Sequence, residues 1–595
     1  MSLPGRSSRS VPRPARLTRI AWLVAASTLA VGCGGAGSAG PKMTAPTPGT
    51  VAGTVTSSVG GAITGATVTV TPTNGTALPS VTTTSAGVYT VSSVPVGTGA
   101  GTVAVTGVPS ACTPATGHYT GLTSGGTVTT NITVTCKPPA TAITSCGTIE
   151  ASGTYALTAN LHNAVDSVAC ITIDASNVVL QCGGDTITTA GTGIFVLAAQ
   201  NVTITNCVIT GTGSGIPGID ISATQGATIS GSSMTVVSPG AIGIFVDNAT
   251  NISVTNDTLL VDTQLFYSIF VYRSTQIAFT NNHITSYGPG NAHGGDAYIQ
   301  DSSSNVTIAN NAIADTGNGA GDIIVEFGGN NTIRQNKIDG GWKGNLATWS
   351  MQGTDDGIVL EFESGDTIQD NTITNVFDAG FETVGLITNS VIAGNSFTNA
   401  GFTGIGSYHG TSWVGNAVLG NTVSQSPSLA YFFYGDNSTA YDGDSVTAID
   451  FEGNAFSSNT FQNPTSLPAV QIGRQIASMV MDFSGLNEGG AALPLPLTAS
   501  DDTIAENQLP TSIAGFFLSP ASAFFDGGGN TCNPSNPGTG ASCSGVFAGL
   551  KAGSPLARGH AAPSPLPFPH HPPRPHHPKV LTRRVPRPFN RGAHS

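Results

Sequence analysis

The chain has 595 residues, 77 of them glycine, and only 9% carry a charge. Its formal net charge of −13 hides a stronger asymmetry: all 33 acidic residues lie between Glu150 and Asp526, while only seven basic residues fall between Arg19 and Lys551. The body therefore carries a net of −26, which argues against a DNA or RNA partner. Its abundant Val, Ile and Thr exclude an intrinsically disordered chain.

Five arginines up to Arg19 precede the apolar run Ile20 to Val31, which ends at Gly32-Cys33. This pattern predicts a secretory signal, too short to span a membrane. Leu29-Ala-Val-Gly-Cys33 resembles a bacterial lipobox, with Ala30 at a position where leucine is usual. The resemblance implies acylation of Cys33 after cleavage, with membrane attachment only through that lipid. The alternative is ordinary secretion after cleavage at a small residue. Residues 34–48 read as a Gly/Ala/Pro linker.

Residues 49–137 alternate Val and Thr, with no charge before Lys137. Val51-Ala-Gly-Thr-Val, Gly65-Ala-Thr-Val-Thr-Val and Thr82-Thr-Thr-Ser-Ala-Gly-Val-Tyr89 resemble a carboxypeptidase-regulatory-like or Cna-B-like β-sandwich. Ser85-Ala86 stands where relatives often have an acidic residue. With no lysine between Lys42 and Lys137, an intramolecular isopeptide bond is excluded. This module reads as a spacer, with carbohydrate binding as the alternative role.

Residues 138–531 repeat. Apolar pairs ten residues apart recur at Ile194/Ile204, Ile219/Ile229, Ile244/Val254, Ile269/Phe279, Tyr298/Ile308, Ile323/Ile333 and Ile358/Ile368. Another apolar residue follows five positions after each pair: Ile209, Met234, Leu259, Ile284, Ile313, Ile338 and Ile373. A period of 25 residues marks a solenoid, and the short alternating runs mark strands. Three strands per turn, stacked in parallel, make an all-β fold with a column of like residues inside. Asn282, Asn311, Asn336, Asn371, Asn395, Asn421, Asn459 and Asn507 each precede an apolar residue by two positions. They are expected to form an asparagine ladder inside one bend. Repeats and ladder together resemble the right-handed parallel β-helix, or pectin-lyase-like, superfamily, a resemblance covering roughly residues 140–530. Register past Ile373 is less regular, because Phe381 lies eleven residues before Ile392.

The chemistry should sit where the repeat is interrupted. Ile284 to Tyr298 takes 14 residues and Ile338 to Ile358 takes 20, and both connections enter the same edge of the same sheet. They carry His293, Asp296, Trp342, Lys343, Trp349, Asp355 and Asp356. Loops on a rigid scaffold are a usual home of function. Three residues past the first apolar position of the following strand stand Asp247, Tyr272, Asp301, Glu326 and Glu361. Alternation places these side chains outside, with rungs about 4.8 Å apart. Stacked carboxyls at that pitch require a raised pKa or a bound cation, here Ca²⁺. Asp301, Glu326, Glu361, Asp355 and Asp356 are thus candidate catalytic carboxyls, the first three also candidate Ca²⁺ ligands. Trp342, Lys343, Trp349, His293 and Tyr272 are candidate glycan contacts. Thr354-Asp-Asp-Gly357 and Tyr408-His-Gly410 are similar to fragments of the polygalacturonase signature, but its Asn-Thr-Asp and Arg-Ile-Lys pieces are missing. A lyase would need a base such as Lys343 or Arg334. An acidic body suits a hydrolase acting on a neutral or weakly charged glycan better.

Setting Cys33 aside leaves eight cysteines, an even number that fits an oxidising compartment. Cys112/Cys136 and Cys532/Cys543 are natural local pairs. Cys146, Cys170, Cys182 and Cys207 should supply two more disulfides, with three connectivities open. Residues 532–550 read as a cap, and 551–595, rich in Pro, His and Arg, as a disordered tail. The expectation is a monomeric, secreted or surface-anchored protein that binds an extracellular polysaccharide and either cleaves it or does not. A non-catalytic adhesin-like rod is the alternative. A NosD-like helper role lacks its His/Met cluster.

Overall fold

The computed structural model describes residues 45–213, 218–236, 242–262, 267–287, 298–315, 321–344, 353–407, 411–433, 440–441, 444–445, 449–465, 477–483, 497–535 and 538–539. Two compact units divide the chain, Met1–Lys137 and Pro138–Ser595.

In the first unit, alternation of buried and half-buried residues in Gly49–Ser57 and Thr67–Pro72 gives each strand one inward face. Gly49–Ser57 pairs with Val88–Val94, Thr127–Thr129 and Ile132–Val134, while Thr67–Pro72 pairs with Val81–Thr82 and Gly101–Thr106, which in turn pairs with Ala115–Tyr119. The two four-stranded sheets share one core that includes Val51, Val68, Tyr89 and Val103. The buried Tyr89 hydroxyl donates to Thr130 O at 2.6 Å, and a Cys112–Cys136 disulfide ties the last strand region back.

The second unit is a parallel β solenoid with almost no helix; among the described residues only the 3₁₀ turn Ala521–Ala523 interrupts the strands. Sheet 1 runs from Gly147–Ile149 to Gly538–Thr539, sheet 2 from Thr141–Ile143 to Phe524–Gly528, and sheet 3 from Leu161–Asn163 to Thr460–Gln462. The ten-residue pairs are the sheet 1 and sheet 2 members of each turn. Ile194, Ile219, Ile244, Ile269, Tyr298, Ile323 and Ile358 align rung to rung. All seven are fully buried; burying each such aliphatic side chain is worth about 1.5–3 kcal/mol.

Each turn from sheet 1 to sheet 2 passes through a left-handed residue directly after the sheet 1 strand. Ala198, Ala223, Asn248, Arg273, Ser302, Phe327 and Phe362 fill that position in successive turns, with φ between 47 and 54°. The Phe327 and Phe362 rings stack at 5.1 Å, 8° from parallel.

The ladder runs as expected and further. Each asparagine Oδ1 accepts the backbone N–H of the preceding ladder residue, as Asn371 does from Asn336 at 3.0 Å and Asn395 does from Asn371 at 3.0 Å. Each Nδ2 donates to a carbonyl in the preceding turn, Asn371 to Ile333 O at 2.9 Å. Asn530 extends the column at one end. At the other, it continues through Asp257 and Ser232 to Cys207, which is disulfide-bonded to Cys182. A second ladder, at the bend leading into sheet 2, links Asn331, Asp366, Ser390, Asn416, Asn454 and Asp502.

The first-turn cysteines pair as Cys146–Cys170 and Cys182–Cys207, settling the open connectivity. Cys532 is also disulfide-bonded, and Cys543, Cys33 and the tail lie outside the described residues. The irregularity near Phe381 is a real insertion. Ile358 pairs with Phe381 and Ile368 with Ile392, and the extra residue in the bend starts a fourth sheet at Leu386–Thr388.

Candidate functional site

Both long connections lead from sheet 3 into sheet 1: His283–Tyr287 precedes Tyr298–Asp301, and Lys337–Asp339 precedes Asp356–Glu361. The outward column stacks in register as Asp247, Tyr272, Asp301, Glu326 and Glu361. Its members do not share one environment. Asp247 is held by Arg273, whose Nη2 donates to Oδ1 at 2.8 Å, and the same guanidinium lies 4.4 Å over the Tyr272 ring. Asp301 accepts the Ser302 hydroxyl at 2.7 Å. Asp301 and Glu326 are half-buried, whereas Glu361 is buried, in a strand with all six residues covered. The expectation of an evenly exposed acidic column is corrected at Glu361. Among the described residues no three His, Cys, Asp or Glu side chains are grouped to hold a metal ion.

Carboxyls converge instead at the start of the strands of sheet 1. Asp355 and Asp378 occupy the same position, three residues before Ile358 and Phe381, and Asp378 N donates to Asp355 O at 2.7 Å. Asp356 accepts the Ala379 N–H at 2.9 Å and lies beside the Glu382 carboxyl. Two buried carboxyls so placed resist ionising together. Burial, then the Glu382 charge, pushes Asp355 up to about 7. Burial, followed by Glu382 and Asp355, holds Asp356 and Asp378 well above the usual carboxylate range. Asp356 and Glu382 are buried, while Asp355 and Asp378 keep partial exposure, so the cluster opens at its rim.

Local packing fixes this rim. Gly357 sits where a Cβ would come within 2.4 Å of Ile373 Cγ2 and 2.6 Å of Gly380 O, so only glycine lets the strand start this close to sheet 3. Thr354 N donates to Gly340 O at 2.8 Å, tying the Asp355 approach to the preceding turn.

Trp342 is buried, 3% exposed, edge-on to Phe377 with centroids 6.2 Å apart. Its ring lies against Gly401, where an added Cβ would come within 2.8 Å of Cη2. It anchors the connection and does not present a face to a ligand, correcting its expected role as a glycan contact. Lys343 beside it is exposed. His293, Asp296, Trp349 and Tyr408-His-Gly410 lie outside the described residues.

A family model described as the right-handed β-helix region matches residues 169–290 and 267–461, the stretch whose rungs stack in register. The second unit is a parallel β-helix. No curated protein sequence matches it. Among solved structures, the β-helix is similar to the mannuronan C-5 epimerase AlgE6 A-module of Azotobacter vinelandii. Identity is 16% and the TM-score 0.36, over 54% of this chain and 92% of that one. A tailspike protein double mutant of E. coli bacteriophage HK620, in complex with a pentasaccharide, matches at 10% identity and TM-score 0.37. That match covers 61% of this chain and 71% of the tailspike. ORF18 of Geobacillus virus E2 matches at 13% and TM-score 0.31, over 48% of this chain and 54% of its own.

Of the β-helix carboxyls, Asp355 and Asp356 were legible beforehand; Asp378 and Glu382 were missed. The signal existed: Asp378 repeats Asp355 three residues before the strand's first inward apolar residue. It was obscured because the spacing shifts by one at that turn.

Proposed function

We propose that this protein binds an extracellular polysaccharide on the outer face of sheet 1 and hydrolyses it at Asp355, Asp356, Asp378 and Glu382. The observation that carries the reading is the grouping of the buried Asp356 and Glu382 beside the partly exposed Asp355, where burial and the neighbouring charges hold Asp355 and Asp356 above the usual carboxylate range. Glycoside hydrolysis needs one carboxyl that is protonated and one that is ionised. Asp355, pushed up to about 7, is the acid: it delivers a proton to the glycosidic oxygen as that oxygen leaves the anomeric carbon. The Asp356–Glu382 pair, with one proton between two carboxyls, keeps one negative charge, which takes a proton from water as the water oxygen bonds to the anomeric carbon. The net charge of −26 on the body repels polyuronates and favours a neutral or weakly charged glycan. Three disulfides between described cysteines fit a protein working outside the cytoplasm.

A second reading has its own support. Glu363 and Asp366 also lie side by side and are buried where no polymer reaches. Burial pushes Glu363 up to about 10, so paired carboxyls serve packing in this chain too, and the rim cluster would then belong to a binding rod without turnover. Incubating the full chain with a panel of neutral polysaccharides and assaying new reducing ends separates the two. Hydrolysis that falls at least about 100-fold in both Asp355→Asn and Glu382→Gln supports the enzyme. Retention of glycan with no new reducing ends on any substrate supports the rod.

A further inference from the structure

Asparagine suits a ladder because its two ends do opposite jobs. Oδ1 accepts an N–H from one neighbouring turn while Nδ2 donates to a carbonyl of that turn. Asn282 accepts from Asp257 N at 2.9 Å and donates to Val254 O at 3.1 Å, three residues before Asp257. In the second ladder Asn454 accepts from Asn416 N at 2.9 Å and donates to Trp413 O at 2.9 Å, again three residues back.

Three ladder positions hold aspartate instead, Asp257, Asp366 and Asp502; Asp366 adjoins the Glu363 carboxyl, so the other two show the replacement most simply. Asp257 Oδ1 accepts from Ser232 N at 2.6 Å, and Asp502 Oδ1 accepts from both Asn454 N and Asn454 Nδ2 at 2.9 Å. The accepting half of the job is done as asparagine would do it. The other oxygen of each, Oδ2, is buried and has no hydrogen-bond partner. By the ladder's own register, that oxygen takes the place of an amide that donates to a backbone carbonyl, of Ile229 for Asp257 and of Phe451 for Asp502. An ionised carboxylate there would set oxygen against oxygen in a dry interior, whereas a protonated one supplies the missing donor.

We infer that Asp257 and Asp502 stand in for asparagine as neutral, proton-donating carboxyls, and that the solenoid is acid-locked at these rungs and loosens there as the pH rises toward neutrality. The electrostatics agree. Burial pushes Asp257 up to about 7, and the Ser232 and Thr255 backbone groups draw it back only in part. Burial pushes Asp502 up to about 8, with Asp501 and Glu452 adding to the rise and Asn454 opposing it. None of the groups named around Asp257 titrates.

The folded pKa of each lies above the unfolded value of 3.8. The stabilisation is therefore complete below that value and is lost progressively as pH rises from there through the folded pKa, about 7 for Asp257 and about 8 for Asp502. Across that window the opening constant at each rung grows by up to about tenfold per pH unit, roughly a thousandfold in all at Asp257.

Amide hydrogen exchange in the full chain reads these rungs directly, because Ser232 and Asn454 donate their N–H groups to the two carboxyls. Between pH 5 and pH 8.5, after correction for intrinsic exchange, protection of both amides should fall by at least about 100-fold in the wild type. In the Asp257→Asn/Asp502→Asn double variant it should stay level and exceed the wild type at pH 8.5. Equal pH slopes in the two proteins, or lower protection of the double variant at pH 8.5, would overturn the inference. Should the variant fold poorly, a carboxyl-carbon NMR titration of the wild type decides alone. Asp257 and Asp502 changing state above about pH 6 supports the lock, and changing state near the ordinary aspartate range of about 4 overturns it.

Discussion

Replacing Asn371 with alanine tests how much of the solenoid's cohesion lies in the amide column. Asn371 is 1% exposed, and its side chain makes four hydrogen bonds. It accepts from Asn336 N at 3.0 Å and Asn336 Nδ2 at 2.9 Å, and donates to Ile333 O and Asn395 Oδ1 at 2.9 Å each. Two partners keep other bonds: Asn336 Nδ2 still donates to Ile308 O, and Asn395 Oδ1 still accepts from Asn371 N. Asn336 N and Ile333 O lose their ladder partner in the dry interior. At about 1–3 kcal/mol for each stranded group, Asn371→Ala should cost about 2–6 kcal/mol. Long stacks need not unfold in one step, so the assay is exchange of the Asn336 amide, whose protection should drop at least about 30-fold. Exposed Gln369, two residues away, is the control; Gln369→Ala should change stability by under about 0.5 kcal/mol. A loss under about 1 kcal/mol at Asn371 would show that stranded ladder groups find new partners, and the column would be an ornament of apolar packing.

Hydrolysis, once a substrate is found, should decline as pH rises through about 7, following loss of the Asp355 proton, and a pH–rate profile flat from 6 to 9 would remove Asp355 as the acid. Trp342→Ala should lower local stability by about 3–5 kcal/mol while leaving glycan affinity within about twofold, because the ring is packed against Gly401; isothermal titration and thermal melts read the two separately. Removing the Cys182–Cys207 bridge by a double serine substitution should cost about 3.5 kcal/mol for a loop of this length, seen as earlier loss of the first rungs in denaturant.

Much of this fold can be read from residue spacing because a solenoid repeats one problem many times. The ten-plus-five register of Ile and Val fixed the three sheets, and the Asn-x-apolar rhythm fixed the ladder, since each rung constrains only its neighbours. Alternation assigned Glu361 to the outside, yet parity says only which way a residue leaves the sheet. It cannot tell how far that face is covered in the fold. Trp342 failed for the same reason: its position in a long connection suggested a ligand contact, and packing against Gly401 and Phe377 is set by turns that follow. The ladder aspartates were hidden differently, because Asp257 and Asp502 do not look like asparagine until the register puts them beside Asn282 and Asn454.

The interior column has a disulfide near each end. It begins at Cys182–Cys207, passes through Ser232 and Asp257, and reaches Asn530, two residues before the disulfide-bonded Cys532. Between those ends the column itself is linked by hydrogen bonds alone. Such a stack should give way first in its middle, where no sulfur–sulfur bond has to break. A protease challenging the solenoid would then cut between the two cysteine-bearing ends and leave each of them as a resistant stub.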